Sequence, residues 1–112
     1  MIAIISDVHS NLAALEAVLE DIRARHVERV ICLGDTVGYG PQPVECLERI
    51  RQFDAVLLGN HDEAIFHSHK TEEFNVRAEL AVEWTRKQLS QGPEQESPGR
   101  LDFLRNLEPL KE

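Results

Sequence analysis

The sequence predicts an α/β fold in which three parallel strands follow a βαβαβ order and further helices come after them. Three short apolar runs rich in Ile and Val, at residues 1–6, 29–33 and 55–58, are the predicted strands. Segments with helical spacing of apolar residues separate these runs, and such alternation favours right-handed crossovers in a parallel sheet. The runs are apolar at consecutive positions, which is typical of strands covered on both faces. No segment after residue 59 has a strand pattern.

The first two helices are predicted from apolar residues at helical spacing and from the residues at their N-termini. The first follows Asn11 and runs to about residue 25, and Asn11 can accept a hydrogen bond as its N-cap. The second covers residues 43–52, where Pro43 suits the first turn. The expected buried faces are Leu12, Leu15, Val18, Leu19 and Ile22 in the first helix, and Val44, Leu47 and Ile50 in the second.

The second half of the chain is predicted to be helical. A helix is expected over residues 75–89, and residues 90–99 form a linker because they hold two prolines and two glycines. Trp84 is expected to pack in the core or under a lid. The chain is therefore interpreted as a single partial domain with two parts, residues 1–66 and residues 74–107. The apolar sets are Val76, Leu80, Val82, Trp84 and Leu89 in the first helix, and Leu101, Leu104 and Leu107 in a short last helix ended by Pro109.

The composition limits the classes of function. The 112 residues suffice for one small domain, and a net charge of −8 argues against broad binding of nucleic acid or membrane surfaces. No apolar run approaches about 18 residues, so no membrane span is predicted. Residues 1–10 have an apolar run that ends at an acid, which indicates a strand and not a signal peptide. Cys32 and Cys46 lie in apolar segments, which favours buried thiols in a cytoplasmic protein over a disulfide or a zinc pair.

Residues that can bind metal follow each predicted strand. Asp7 and His9 follow the first strand, Asp35 follows the second, and Asn60 and His61 follow the third. Ligands of open α/β sheets bind beyond the carboxyl ends of the strands. The sequence therefore predicts that these three loops meet at one edge of the sheet and share a site.

The residue types and their spacing favour metal ions at this site. Asp7 and His9 are two apart, so in an extended chain both side chains would face one cation. Asp35 could bridge two ions through its two oxygens, and Asn60 offers an amide oxygen. Mixed oxygen and imidazole ligands suit Mn, Fe, Zn, Co or Ni better than Ca or Mg. The three loops, at residues 6–11, 34–43 and 59–66, contain no Lys or Arg, so bound cations would be needed to attract phosphate.

Several polar residues also have purely structural interpretations. A single Asp after a strand commonly forms a turn or caps a helix, and Asp62 and Glu63 would suit the first turn of a helix. His26 lies at a helix C-terminus, where a cation is favoured. His67 and His69 have the spacing of metal ligands but lie in a polar segment, so they are either solvated or in contact with metal or substrate.

The three motifs, taken in order, resemble those of the calcineurin-like metallophosphoesterases. The strings GDTVGYG and GNHD lack the Arg and the Glu of the GDxVDRG and GNHE motifs found in the phosphoprotein-phosphatase branch. The chain therefore looks like the bacterial and archaeal predicted-phosphodiesterase branch. The residues that carry the resemblance are Asp7, His9, Gly34, Asp35, Gly59, Asn60, His61 and Asp62, with a looser likeness at Phe74, Asn75, Ala78, Ala81, Trp84 and Thr85.

The resemblance implies a hydrolase that uses two divalent metal ions. Asp7, His9 and Asp35 would hold the first ion, Asp35 would bridge, and Asn60 would hold the second. A hydroxide between the ions would attack phosphorus in line. His61 would act near the leaving oxygen, so His61 and Asp35 are the expected catalytic residues, and Asn60 and His61 would bind substrate. The substrate would be a phosphate-ester small molecule or a nucleotide.

The chain departs from the family pattern in its second half. The family fold is an αββα sandwich, and this chain resembles only the N-terminal half of it. The Gly-His-x-His motif of the family is absent from the sequence. We therefore expect a truncated chain that is inactive alone, in which His67 or His69 could replace the missing ligands only through a large loop excursion. An exposed sheet edge would favour self-association.

Two other functions are considered beside the enzyme. The first is a non-catalytic scaffold of the same fold that serves protein contacts, although the chain retains His61. The second is an unrelated nucleotide-binding α/β domain, but the first loop, SDVHSN, has no glycine. Tyr39 and residues 66–70 are the local candidates for substrate contact.

Overall fold

A parallel sheet of three strands, in the order β1-β2-β3, lies at the centre of the protein. The computed structural model describes residues 1–66, 76–91 and 99–109. The predicted α/β class and strand order are confirmed. The elements are β1 (Ile2–Ile5), α1 (Leu12–Ala24), β2 (Arg29–Cys32), α2 (Pro43–Ile50), β3 (Ala55–Val56), α3 (Asn60–Ala64), α4 (Val76–Ser90) and α5 (Arg100–Arg105).

One face of the sheet is covered by α1 and α2. Ile5 pairs with Cys32 and Cys32 with Val56, so these side chains point to the same face. They pack with a buried cluster that includes Leu15 and Ile50. Both cysteines are free and buried, as predicted, and burial raises the pKa of Cys32 and raises that of Cys46 to about 11.

The opposite face of the sheet is open in the described part of the chain. Ile4 pairs with Ile31 on this face, yet Ile4 is 62% exposed and Ile2 is 49% exposed. The expectation that both faces are covered is therefore wrong for β1. The reason is that α4 packs against α2 and α5, and thus extends the helical layer on the covered side.

The first two helices follow the prediction closely, except that Val18, expected on the buried face of α1, is 41% exposed. The Ala14 N–H donates to Asn11 Oδ1 at 3.1 Å, so Asn11 is the N-cap of α1. Pro43 occupies the first turn of α2. None of the helices in the described ranges is long and apolar enough to cross a membrane.

The last helix ends earlier than predicted. It stops at Arg105, four residues before Pro109. The Leu58 N–H donates to the Glu108 carbonyl at 2.8 Å, and Leu58 and Pro109 form an isolated parallel bridge. Because this pairing needs extended backbone beside β3, the chain leaves the helix before it reaches Pro109.

The apolar residues of α4 divide between two sides of the helix. Val82 and Leu89 are buried in the larger core cluster. Val76, Leu80 and Trp84 are four residues apart and lie on the other side, where Trp84 is 41% exposed. The expectation that Trp84 packs in the core is therefore wrong.

Candidate metal centre

The loops after the three strands meet, as predicted, at the carboxyl end of the sheet. Backbone N–H groups of Asp7 and His9 donate to the carbonyls of Gly34 and Asp35, at 3.1 and 2.9 Å. The His61 N–H donates to Asp35 Oδ1 at 3.0 Å, which connects the third loop to the second. The loops are therefore fixed to one another mainly by backbone donors.

The backbone of these loops is strained at the residues that carry chemistry. Asp7, His9 and Asp35 have φ values of 58°, 47° and 56°, in the left-handed region that non-glycine residues rarely adopt. The expectation that Asp7 and His9 lie in an extended segment is therefore wrong. Their side chains are nevertheless in contact: Asp7 Oδ1 lies 3.3 Å from His9 Nε2.

Asp35 lies between two imidazoles. Its Oδ2 is 3.8 Å from His9 Nε2, and its Oδ1 is 3.6 Å from His61 Nδ1. One ligand atom from each of these three residues lies within 4.8 Å of the others, a spacing suited to a metal ion. His9 and Asp35 are the ligands, and His61 the catalytic residue, that the sequence predicts, and all three are part of this cluster.

The protonation of His9 fits a cation at this position. His9 Nδ1 is 3.2 Å from the Val37 carbonyl, which can only accept a hydrogen bond, so the proton belongs on Nδ1. Nε2 then faces the carboxylates of Asp7 and Asp35. An Nδ1–H donated to a backbone carbonyl is the usual arrangement of a metal-binding histidine, because it leaves Nε2 to bind a cation that the two carboxylates also face.

Asp7 is the exposed member of the group. Its side chain is 63% exposed. The Ser6 hydroxyl donates to Asp7 Oδ2 at 2.6 Å, and this hydrogen bond is the main cause of the lowered pKa of Asp7. Asp7 is therefore ionised at neutral pH and can bind a cation. Asn60, by contrast, begins α3 with an exposed side chain, and its role as a ligand stays a prediction.

His61 is a buried imidazole beside His9. Its side chain is 12% exposed, and the two rings meet edge to face with centroids 4.8 Å apart. Burial lowers the pKa of His61, and the nearby Asp35 carboxylate opposes that shift. The neutral imidazole is therefore favoured at pH 7.

Asp62 has a role that the sequence analysis missed. It lies in the first turn of α3, as its interpretation as a helix-capping acid suggested, but its fully buried carboxylate also connects two loops. It accepts hydrogen bonds from the N–H groups of Asp35, Val37 and Gly59, at 2.9, 3.1 and 3.0 Å. Burial raises the pKa of Asp62 to about 6. The sequence signal was an acid three residues after Gly59, the position from which a side chain reaches back to the N-cap N–H.

Gly59 makes room for the Asp35 carboxylate. A Cβ on Gly59 would lie 2.2 Å from Asp35 Oδ1 and 2.3 Å from the Asp35 backbone nitrogen. Only glycine therefore allows the third loop to approach Asp35 this closely. The oxygen and imidazole donors of His9, Asp35 and His61, which lie within 4.8 Å of one another, suit a divalent metal ion. His67 and His69 lie outside the described residues.

Comparison with known proteins agrees with the fold and identifies the family. A family model described as calcineurin-like phosphoesterase matches residues 1–108. An uncharacterized protein of Methanocaldococcus jannaschii is 48% identical over 88 residues, which are 78% of this chain and 36% of that protein. The crystal structure of a metallophosphoesterase from Sphaerobacter thermophilus is similar with a TM-score of 0.72 and 44% identity, over 95% of this chain and 40% of that one. This chain belongs to the calcineurin-like phosphoesterase family.

Proposed function

We propose that this chain supplies the metal-binding part of a phosphoesterase that hydrolyses phosphate esters with two divalent ions. The observation that carries the proposal is the convergence of His9, Asp35 and His61 within 4.8 Å of one another. Membership of the calcineurin-like phosphoesterase family supports the same chemistry. Mn, Fe, Zn, Co and Ni suit the oxygen and imidazole donors. The two free, buried thiols support a location in the cytoplasm.

The geometry of Asp35 supports its role as the bridging ligand. Its Oδ2 faces Nε2 of His9, a proposed ligand of the first ion. Its Oδ1 faces the third loop, from which Asn60 would bind the second ion. Asp7 and His9 would complete the first ion site, since both approach Asp35 from the first loop. Asn60 would supply an oxygen to the second ion from the start of α3.

The charge of the loops explains why phosphate chemistry here would need metal. No Lys or Arg occurs at residues 6–11, 34–43 or 59–66. When bound, two divalent ions would attract the phosphate and activate a water for in-line attack on phosphorus. His61, held neutral by burial, would donate a hydrogen bond to the ester oxygen. The substrate would be a phosphate-ester small molecule or a nucleotide.

Metal uptake tests the assignment of ligands. Asp35→Asn should weaken Mn²⁺ binding by more than about a hundredfold. Even the loss of a residue that only hydrogen-bonds to a metal ligand typically lowers metal affinity by about tenfold to a hundredfold. His61→Ala should have a smaller effect, because its role is on the substrate. His26→Ala, an exposed histidine just after α1, is the control and should bind Mn²⁺ like the wild type. Isothermal titration calorimetry that gives the reverse order for Asp35→Asn and His61→Ala would overturn the assignment.

The isolated chain should be a poor enzyme. The chain spans 36% and 40% of the length of the two relatives named above, and we propose that further ligands of the metal pair lie in the part that it does not span. We therefore expect slow or no hydrolysis of an aryl phosphate diester with Mn²⁺. Robust turnover by the 112-residue chain would show that its own donors suffice.

The open face and the free edge of β1 should promote self-association. Ile2 and Ile4 expose apolar surface on a strand that pairs only with β2 among the described strands. Sedimentation should show dimers or larger species, and Ile4→Thr should reduce them. Val18→Thr on α1, also an exposed β-branched residue, is the matched control. A stable monomer at high concentration would contradict this expectation.

A further inference from the structure

Tyr39 lies at the mouth of the metal centre. Its ring centroid is 4.7 Å from that of His61 and 5.1 Å from that of His9. Although it contacts both imidazoles, the residue is 59% exposed. The ring therefore has one side against the metal centre and another side open to an incoming molecule.

The backbone around Tyr39 fixes the ring in this position. Tyr39 has a φ of 61°, and the Gly40 N–H donates to the His9 carbonyl at 2.9 Å. A Cβ on Gly40 would lie 2.3 Å from that carbonyl, and one on Gly38 would lie 3.2 Å from His61 Cβ. Gly38 and Gly40 thus allow this short segment to lie close to both histidines, and Tyr39 between them adopts a strained backbone conformation. Strain of this kind is typically retained where a side chain must be held in place.

The charge of the surrounding loops decides what such a ring could recognise. Residues 6–11, 34–43 and 59–66 contain no Lys or Arg. These loops therefore offer no positively charged Lys or Arg side chain that could bind the organic part of an ester. An exposed ring, by contrast, offers a surface on which planar groups stack. Tyr39 is also the sole tyrosine of the chain.

We infer that Tyr39 is a specificity-determining residue whose ring stacks on the group esterified to phosphate, and that it favours planar groups such as an aryl ring or a nucleobase over alkyl groups. The inference rests on the proposed function, because the phosphate must lie on the metal centre for its substituent to reach Tyr39. It assigns recognition of the ester group to the second loop, next to the bridging Asp35.

Binding of simple phosphates to the Mn²⁺-loaded chain tests the inference. Inorganic phosphate, ethyl phosphate and phenyl phosphate are compared by calorimetry for the wild type and for Tyr39→Phe, Tyr39→Leu and Tyr39→Asn. The wild type should bind phenyl phosphate roughly threefold to tenfold more tightly than ethyl phosphate, the size of one aromatic contact. Tyr39→Phe should keep this preference, because it keeps the ring.

The two variants without a ring separate recognition from folding. Tyr39→Leu and Tyr39→Asn should reduce the preference to about one. The preference is a ratio measured within each variant, so a general change in phosphate affinity does not alter it, and Asn suits a positive φ better than Leu does. Trp84→Leu, which removes an exposed ring from α4, is the control and should keep the preference. A preference that is absent in the wild type, or that survives in both ringless variants, overturns the inference and leaves the proposed function intact. Failure of the wild type to bind any of the three anions overturns both.

Discussion

The loops at the carboxyl end of the sheet and the helices α4 and α5 are stabilised in different ways. Of the six described non-glycine residues with positive φ, all but His26 lie in these loops. In the described part of the helical region, the residue with positive φ is Gly99, and glycine adopts this conformation at little cost in free energy. Buried apolar side chains such as Leu89 and Leu104 stabilise this region. The loops are thus stabilised by hydrogen bonds and by close approach of their backbones, whereas the helices are stabilised by the packing of buried apolar side chains. Strain is concentrated where the proposed metal ligands lie.

The largest expected effect is that of Gly59→Ala, which tests the close backbone approach that stabilises the loops. Gly59→Ala places a Cβ 2.2 Å from Asp35 Oδ1, so the third loop must move away from Asp35. We expect a loss of about 3 kcal/mol in the free energy of unfolding, at the upper end for overpacking, and at least a tenfold loss of Mn²⁺ affinity. Urea denaturation and calorimetry measure the two quantities on the same sample.

Leu104→Ala is the matched change in the helical region. Leu104 is fully buried, and its truncation should cost about 2–5 kcal/mol because it leaves a cavity. The fraction that remains folded should bind Mn²⁺ like the wild type. If Leu104→Ala weakened Mn²⁺ binding as much as Gly59→Ala, the distinction between the two regions would fail.

A smaller effect is expected at Asp62, which connects the second and third loops. Asp62→Asn removes an acceptor oxygen from a site where three N–H groups of the backbone converge. Leaving one buried donor unsatisfied costs about 1–3 kcal/mol, and the freed Asp35 loop should bind Mn²⁺ more weakly. Both effects are measured as for Gly59→Ala.

Asp54→Asn provides the control for Asp62→Asn. Asp54 Oδ2 also accepts a backbone N–H, that of Val30 at 2.8 Å, but it is exposed and lies before β3. Its replacement should cost little stability and no Mn²⁺ affinity. Equal changes in Mn²⁺ affinity for the two variants would show that Asp62 has no special connection to the metal centre.

The sequence predicted those features that depend on local pattern. The order of strands and helices, the cap at Asn11 and the meeting of the three loops all follow from periodicity and from the rule for open sheets. The open face beside Ile4 could not be predicted, since an apolar run does not reveal which of its faces a neighbouring element covers. The exposure of Trp84 has the same origin, because helical spacing places apolar residues on α4 without showing which side packs.

The details of the site were harder to predict than its location. Residue type and position predict Asp35 and His9 as metal ligands, but the left-handed backbone that brings Asp7 and His9 together has no pattern in the sequence. Asp62 was read as a helix-capping acid because capping is local, whereas its other partners, the N–H groups of Asp35 and Val37, are distant in sequence. Long-range backbone hydrogen bonds of this kind become visible only in three dimensions.

The smallest expected effect concerns the helical region and its dependence on pH. Glu48 in α2 accepts hydrogen bonds from Arg51 at 3.1 Å and from Arg100 of α5 at 3.0 Å. Burial alone would raise the pKa of Glu48, but the two arginines outweigh it and the pKa is lowered. A carboxylate whose pKa is lowered in the folded state stabilises the protein at pH values above its pKa in the unfolded chain, which is about 4.5. This stabilisation is lost as the pH falls through the pKa of the folded state.

Glu48→Gln should therefore lower the free energy of unfolding at pH 7 by less than about 1 kcal/mol, because the side chain is 39% exposed and water screens the ion pairs. The difference between the variant and the wild type should shrink as the pH falls below about 4.5, since protonation removes the same charge from the wild type. Mn²⁺ affinity at pH 7 should not change, because Glu48 contacts the helical region and not the loops. Urea denaturation at pH 7, 5 and 3 measures the stability difference. A constant difference between the two proteins across this range would show that the contacts of Glu48 with Arg51 and Arg100 contribute no charge-dependent stability.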